Sequence, residues 1–149
     1  MSPVRALLIV IGVVGVAGVA VVVAWFLRRT EGRQRDGDGM VFHPGNLPGL
    51  AELAPGATLV QFSTEFCTTC PGTRRFLQQM TSRYAEVSYL DVDLTRDREL
   101  ARRLHILQTP TVFVLDARGR VVTRFGGAPK PVEVHSALVS VLGTAQSAC

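Results

Sequence analysis

Three of the 149 residues are cysteines, and two of them stand three apart in Cys67-Thr68-Thr69-Cys70. At that spacing, on the first turn of a helix, both sulfurs lie on one side and are close enough to bond. Cys67 would be the outer sulfur, beside backbone N–H groups without intrahelical partners and at the positive end of the helix dipole. Both features stabilise a thiolate, and cysteines in such pairs have pKa values of about 3.5–7.5. A thiolate at Cys67 can attack a disulfide, and Cys70 can then resolve the mixed disulfide. The same spacing could instead supply half of a four-coordinate zinc site. The missing ligands would have to come from Cys149, the last residue, or from His43, His105 and His135, which are scattered singly. No metal and no cofactor are therefore expected. An odd, low cysteine count also argues against a disulfide scaffold. A structural pair without redox function is the other bland reading.

The elements around the pair place it. Thr58–Ser63 (TLVQFS) alternates and is rich in β-formers, which predicts a strand. Thr64-Glu65-Phe66 connects it to Cys67. From Cys67 to about Tyr84, Phe76, Leu77, Met80 and Tyr84 recur at helical spacing. Val87–Val92 reads as a second strand. Arg96–Leu104 reads as a helix with Asp97 and Glu99 early and Arg102 and Arg103 late, as the dipole favours. His105 falls at its end. Thr111–Leu115 and Arg120–Phe125 form a hairpin across the turn Asp116-Ala117-Arg118-Gly119. Pro131–Leu142 is a closing helix with proline near its first position. Upstream, Val41-Phe42 reads as a short edge strand. Pro44, Gly45, Pro48 and Gly49 break the chain before a helical turn near Leu50–Leu53.

The order β-α-β-α-β-β-α predicts an α/β domain. The first two strands are joined through a helix and should be parallel, and the last two antiparallel. A mixed sheet with helices on both faces follows. A C-x-x-C pair after a strand in a βαβ pattern is the setting of a redox motif.

With the elements in place, residues about 57–142 resemble thioredoxin. Leu59-Val60-Gln61-Phe62-Ser63-Thr64-Glu65-Phe66-Cys67-Thr68-Thr69-Cys70 looks like that family's active-site strand and loop. Tyr89-Leu90-Asp91-Val92-Asp93 looks like its next central strand, and Leu107-Gln108-Thr109-Pro110-Thr111 like the loop with its cis-proline. Phe125-Gly126-Gly127 looks like the glycine turn beside the site. The resemblance implies a thioredoxin-like fold and a thiol–disulfide oxidoreductase. It gives Cys67 and Cys70 the catalytic roles and makes Phe66, Thr109, Pro110 and Gly126 the substrate-binding positions, with Gly127 alongside. It implies a cis Thr109–Pro110 peptide, protein disulfides or dithiols as substrates and an upstream thiol reductant. Several positions depart from the family pattern. Gln61 stands where thioredoxins carry a buried aspartate that helps deprotonate the second cysteine, and Tyr89 where that aspartate's lysine neighbour would be. Phe66 and Ser63 replace tryptophans, and Thr68-Thr69 replaces Gly-Pro. Pro71 follows Cys70, where proline is tolerated early in a helix.

The N-terminal region is of another kind. Ala6–Leu27 is 22 residues without a charge. As a helix it would span roughly 33 Å against a hydrocarbon core of about 30 Å. Trp25 and Phe26 close it, where aromatic side chains favour the interface. The run is longer than a signal-peptide core and lacks a small-residue cleavage site. A single transmembrane helix is therefore expected to precede the domain. Residues 1–29 would be the anchor, 30–39 a flexible linker, 40–142 the thioredoxin-like domain and 143–149 a tail. Arg28, Arg29, Arg33 and Arg35 follow the helix, and only Arg5 and the N-terminus precede it. That bias puts the domain on the cytoplasmic side of a cell membrane. An extracytoplasmic placement is the alternative, because many tethered domains of this kind work where disulfides persist. The net charge of +4 is split between the two regions and does not describe a nucleic-acid surface. Two other functions fit the same features. One is a non-catalytic thioredoxin-fold binding module at the membrane. The other is an extracytoplasmic thiol reductase for cytochrome maturation, although many of those carry an extra segment between the cysteines and the proline that is absent here.

Overall fold

The computed structural model describes residues 3–30, 33–37 and 39–146. The chain divides into two compact units, residues 1–31 and 32–149.

The first unit is helix α1, Pro3–Thr30. Its side chains are described over residues 11–25, where Ile11, Val13, Val14, Val16, Val19, Val21, Val22, Val23 and Trp25 are all exposed. This stretch has no polar face, unlike the amphipathic helices that cover a globular core. Among the described residues no helix is long and apolar enough to cross a membrane.

The second unit is built on a five-stranded sheet. Its strands are β1 (Arg33–Asp36), β2 (Ala57–Ser63), β3 (Val87–Asp93), β4 (Thr111–Asp116) and β5 (Val121–Gly126), in the spatial order β1-β5-β4-β2-β3. β2 and β3 are parallel; β2–β4, β4–β5 and β1–β5 are antiparallel. This is the mixed sheet that the order of elements implies. Three helices pack on it: α2 (Cys70–Thr81), α3 (Arg98–Arg103) and α4 (Pro131–Gln146).

Period-two alternation sends successive side chains of the central strands to two different cores. Ala57 and Leu59 of β2, Val112 and Val114 of β4 and Phe125 of β5 pack under Leu77 and Met80 of α2 and Val134, Ala137, Leu138 and Val141 of α4. Val60, Phe62, Phe113 and Leu115 point the other way, onto Leu100 of α3, Leu104 just beyond it, and Phe42, Leu47 and Leu50. All seven residues of β2 are buried, so the strand carrying the cysteine loop has apolar layers on both faces. Its buried apolar side chains, Leu59, Val60 and Phe62, each contribute about 1.5–3 kcal/mol, so β2 is a firm base for the loop.

Several local expectations are corrected. Arg33–Asp36, read as part of a flexible linker, pairs with β5 from Arg33↔Gly126 to Asp36↔Thr123. Its polar composition is compatible with an edge strand, and its partners are main-chain groups that composition does not reveal. Val41 makes one bridge, to Arg120, in place of a strand. Leu50–Leu53 forms no helical turn; Gly45 donates to the carbonyl of Leu50 at 2.8 Å and closes a loop instead. α2 begins at Cys70 and ends at Thr81, short of the expected Tyr84, and α4 runs on to Gln146, beyond the expected end at Leu142. Cys149 lies outside the described residues.

Candidate active site around Cys67 and Cys70

β2 ends at Ser63, and the Cys67 amide donates to the Thr64 carbonyl at 3.2 Å, turning the chain toward α2. Cys70 opens α2, with Pro71 in the first turn, where its missing N–H costs no helical bond. Cys67 and Cys70 form a disulfide, with sulfurs 2.04 Å and Cα atoms 5.4 Å apart. Cys67 is half-buried, whereas Cys70 is only 2% exposed. A reagent arriving from solvent therefore meets Cys67 first.

Two further loops converge on this one. The Thr109–Pro110 peptide is cis, and Pro110 is buried. The hydroxyls of Thr64 and Thr109 are 3.3 Å apart, tying the cysteine loop to the proline loop. The amide of Gly127 donates to the Pro110 carbonyl at 2.8 Å, tying the glycine turn to the same loop. Gly127 has φ +90°, a conformation that suits glycine. Gly126 closes β5 opposite Thr111, and a Cβ on it would come within 2.9 Å of the Gln108 amide nitrogen. The Gln108 side chain thus lies over Gly126. Cys67, Cys70, Thr109, Pro110 and Gly126, all singled out in the sequence, therefore sit on three joined loops. Phe66 lies on the first of them, 80% exposed. Leu107, which sequence reasoning did not select, is 94% exposed two residues before Thr109. Its signal was an apolar residue in a loop, which is too common to single out alone.

Behind the pair lies a polar chain. Gln61, fully buried on β2, donates through Nε2 to the Cys70 carbonyl at 3.2 Å. The Tyr89 hydroxyl donates to Gln61 Oε1 at 3.0 Å. Burial, with the nearby Asp91 carboxylate adding to it, pushes the Tyr89 phenol up to about 12. Asp91 in turn accepts from Ser63 at 2.8 Å and pairs with Arg74 of α2. That ion pair is partly exposed and worth no more than about 1 kcal/mol. Among the described residues no group of three or more His, Cys, Asp or Glu side chains could hold a metal ion.

Chemically, this is an accessible sulfur backed by a buried one three residues on, on a rigid strand–helix junction. Once reduced, such a pair can open a foreign disulfide and close again. The family model named Thioredoxin matches residues 51–140 of the chain.

The chain belongs to the thioredoxin family.

Thioredoxin H2-1 of Oryza sativa subsp. japonica is 33% identical over 72 residues, which cover 48% of this chain and 51% of that protein. The thioredoxin of Ovis aries is 29% identical over 72 residues, 48% of this chain and 68% of its own length. The chain thus spans about half of the rice protein and about two thirds of the sheep one. Among solved structures, thioredoxin-2, described as a component of malaria parasite protein secretion machinery, superposes with a TM-score of 0.54 at 16% identity. That match covers 68% of this chain and 99% of the other, and supports the thioredoxin fold.

Proposed function

We propose that this thioredoxin-family chain is a membrane-tethered thiol–disulfide oxidoreductase acting on protein disulfides. The observation that carries the reading is the Cys67–Cys70 disulfide, set on a loop that is hydrogen-bonded to the cis Thr109–Pro110 loop. In the reducing direction, the Cys67 thiolate attacks one sulfur of the substrate disulfide. A mixed disulfide forms, and the other substrate sulfur leaves as a thiolate that takes a proton from water. The Cys70 thiol gives up its proton, its sulfur attacks Cys67, and the second substrate sulfur departs. The protein ends with the Cys67–Cys70 bond, having passed two electrons to the substrate, and an upstream dithiol must restore the pair. Pro110, Thr109 and Gly126 would line the path of the substrate backbone, and Phe66 would offer it an apolar contact.

Replacing Cys70 with serine removes the resolving sulfur, so Cys70→Ser should accumulate mixed disulfides through Cys67 that reducing agent releases. Partners retained without a covalent link, and none trapped through Cys67, would instead describe a binding module.

The membrane tether rests on α1. Its 22-residue uncharged run and the lack of a polar face over residues 11–25 support a span. The arginines that follow the run support a cytoplasmic redox domain, where thiol systems would keep the pair as a dithiol. Fusions after Cys149 test the side: a fluorescent protein should shine and alkaline phosphatase stay inactive. The reverse pattern would move the domain outside and leave the chemistry intact.

A further inference from the structure

Gln61 links Tyr89 to Cys70, the first residue of α2. A primary amide carries an acceptor on one atom and two donors on the other, and its neighbours decide which way it faces. On one side of Gln61 is the Cys70 carbonyl, which can only accept, 3.2 Å from Nε2. On the other is the Tyr89 phenol, 3.0 Å from Oε1. Turning the amide round would set two acceptor oxygens against each other in a fully buried place. The phenol reinforces the same sense. Burial first, and the Asp91 carboxylate second, push it up to about 12, so it keeps its proton wherever thiols titrate and remains a donor. The nitrogen end of Gln61 is therefore fixed toward Cys70 by contacts on both sides.

The elements packed against this turn define its charges. β2 carries no titratable group. β3 contributes Tyr89, Asp91 and Asp93, and α2 itself Arg74 and Arg75. Asp91 is engaged by Ser63 and Arg74, and Asp93 is fully exposed, with a carboxyl held low by hydrogen bonds from Thr95. Gln61, a neutral donor, hydrogen-bonds Cys70 through that residue's carbonyl.

We propose that Tyr89 and Gln61 form a positioning pair that presents an amide N–H to Cys70, so that the Cys70 thiol formed on reduction gives its proton to water and the resulting thiolate is held by a hydrogen bond. One N–H of Nε2 serves the Cys70 carbonyl, and the second would be the donor to the sulfur once the disulfide opens. The phenol, by donating to Oε1, polarises the amide and strengthens its N–H groups. Cys70 would then titrate as a single thiol, uncoupled from any buried acid. The inference rests on the reading of Cys70 as the resolving sulfur, but its test does not require exchange activity.

The test uses the full-length protein with Cys67→Ser and Cys149→Ser, so that Cys70 is the only thiol. Its ultraviolet thiolate absorbance is followed against pH, alone and with Tyr89→Phe or Gln61→Met added. Both variants should move the Cys70 titration to higher pH, by about one unit for Gln61→Met, the size of a hydrogen bond to a charged group. Tyr89→Phe should give a smaller shift in the same direction. In the counterpart with Cys70→Ser and Cys149→Ser, the Cys67 titration should stay where it is. An unmoved Cys70 titration in both variants would overturn the proposal, as would an equal shift at Cys67, which would mark a general disturbance of the site. Should Gln61→Met fail to fold, Tyr89→Phe, which keeps the ring, carries the test alone. A shifted Cys70 titration together with a failed Cys70→Ser trap would uphold this pair and sink the exchange function.

Discussion

The hydroxyl oxygens of Thr64 and Thr109 lie 3.3 Å apart, although the two residues are 45 positions apart in the chain. This contact joins the end of the buried strand β2 to the cis peptide before Pro110. It holds the cysteine loop and the proline loop in one register. Thr109→Val keeps the branched shape and removes the hydroxyl. The loss in stability should be about 1 kcal/mol, the net worth of one hydrogen bond. Turnover of a protein disulfide should fall several-fold, while reaction with a small aromatic disulfide, which needs no backbone docking, should hardly change. Parallel assays on the two substrates check this; equal losses on both would show that the contact serves the sulfurs and not the docking groove.

Exposure separates the two sulfurs. Cys67 is half-buried and Cys70 is 2% exposed. Alkylation of the reduced protein near neutral pH, read by mass mapping, should therefore label Cys67 at least tenfold faster, about 1.4 kcal/mol in activation free energy. Faster labelling of Cys70 would reverse the assigned roles.

Tyr89 predicts an alkaline effect on stability. Its phenol is raised from 10.0 to about 12 in the folded protein, mainly by burial. The folded state therefore holds this proton more tightly than the unfolded state. The stability gained is fully present below pH 10 and is lost as pH rises through about 12. Denaturant midpoints measured across that window should fall more steeply for the parent protein than for Tyr89→Phe. Parallel slopes would show that the phenol is not held in this way.

Most of what positions the site was legible in the chain itself. TLVQFS, VSYLDV and TVFVL are β-rich runs, and each formed a strand; in the first and third, burial on both faces reinforced local preference. The cysteine pair and Thr109-Pro110 were visible as residue types at telling distances from those strands. Arg33–Asp36 was not, since four polar residues carry no strand pattern; their order comes from the unpaired edge of β5. Helix C-termini were off by three or four residues, at Thr81 against Tyr84 and at Gln146 against Leu142, because apolar spacing does not mark the last hydrogen-bonded turn. The position of Gln61 was marked by likeness to a family pattern, but the direction of its amide depends on the Cys70 carbonyl and the Tyr89 hydroxyl together. Only the fold brings those two atoms to one side chain.

The central claim is that Cys67 and Cys70 exchange with protein disulfides, and insulin reduction measures it most directly. With dithiothreitol as electron source, the full-length protein should accelerate precipitation of the insulin B chain well above the reagent alone. Cys67→Ser should abolish the acceleration, and Cys149→Ser should leave it intact. A parent protein that reduces insulin no faster than dithiothreitol alone, although dithiothreitol opens its Cys67–Cys70 bond, would contradict the account.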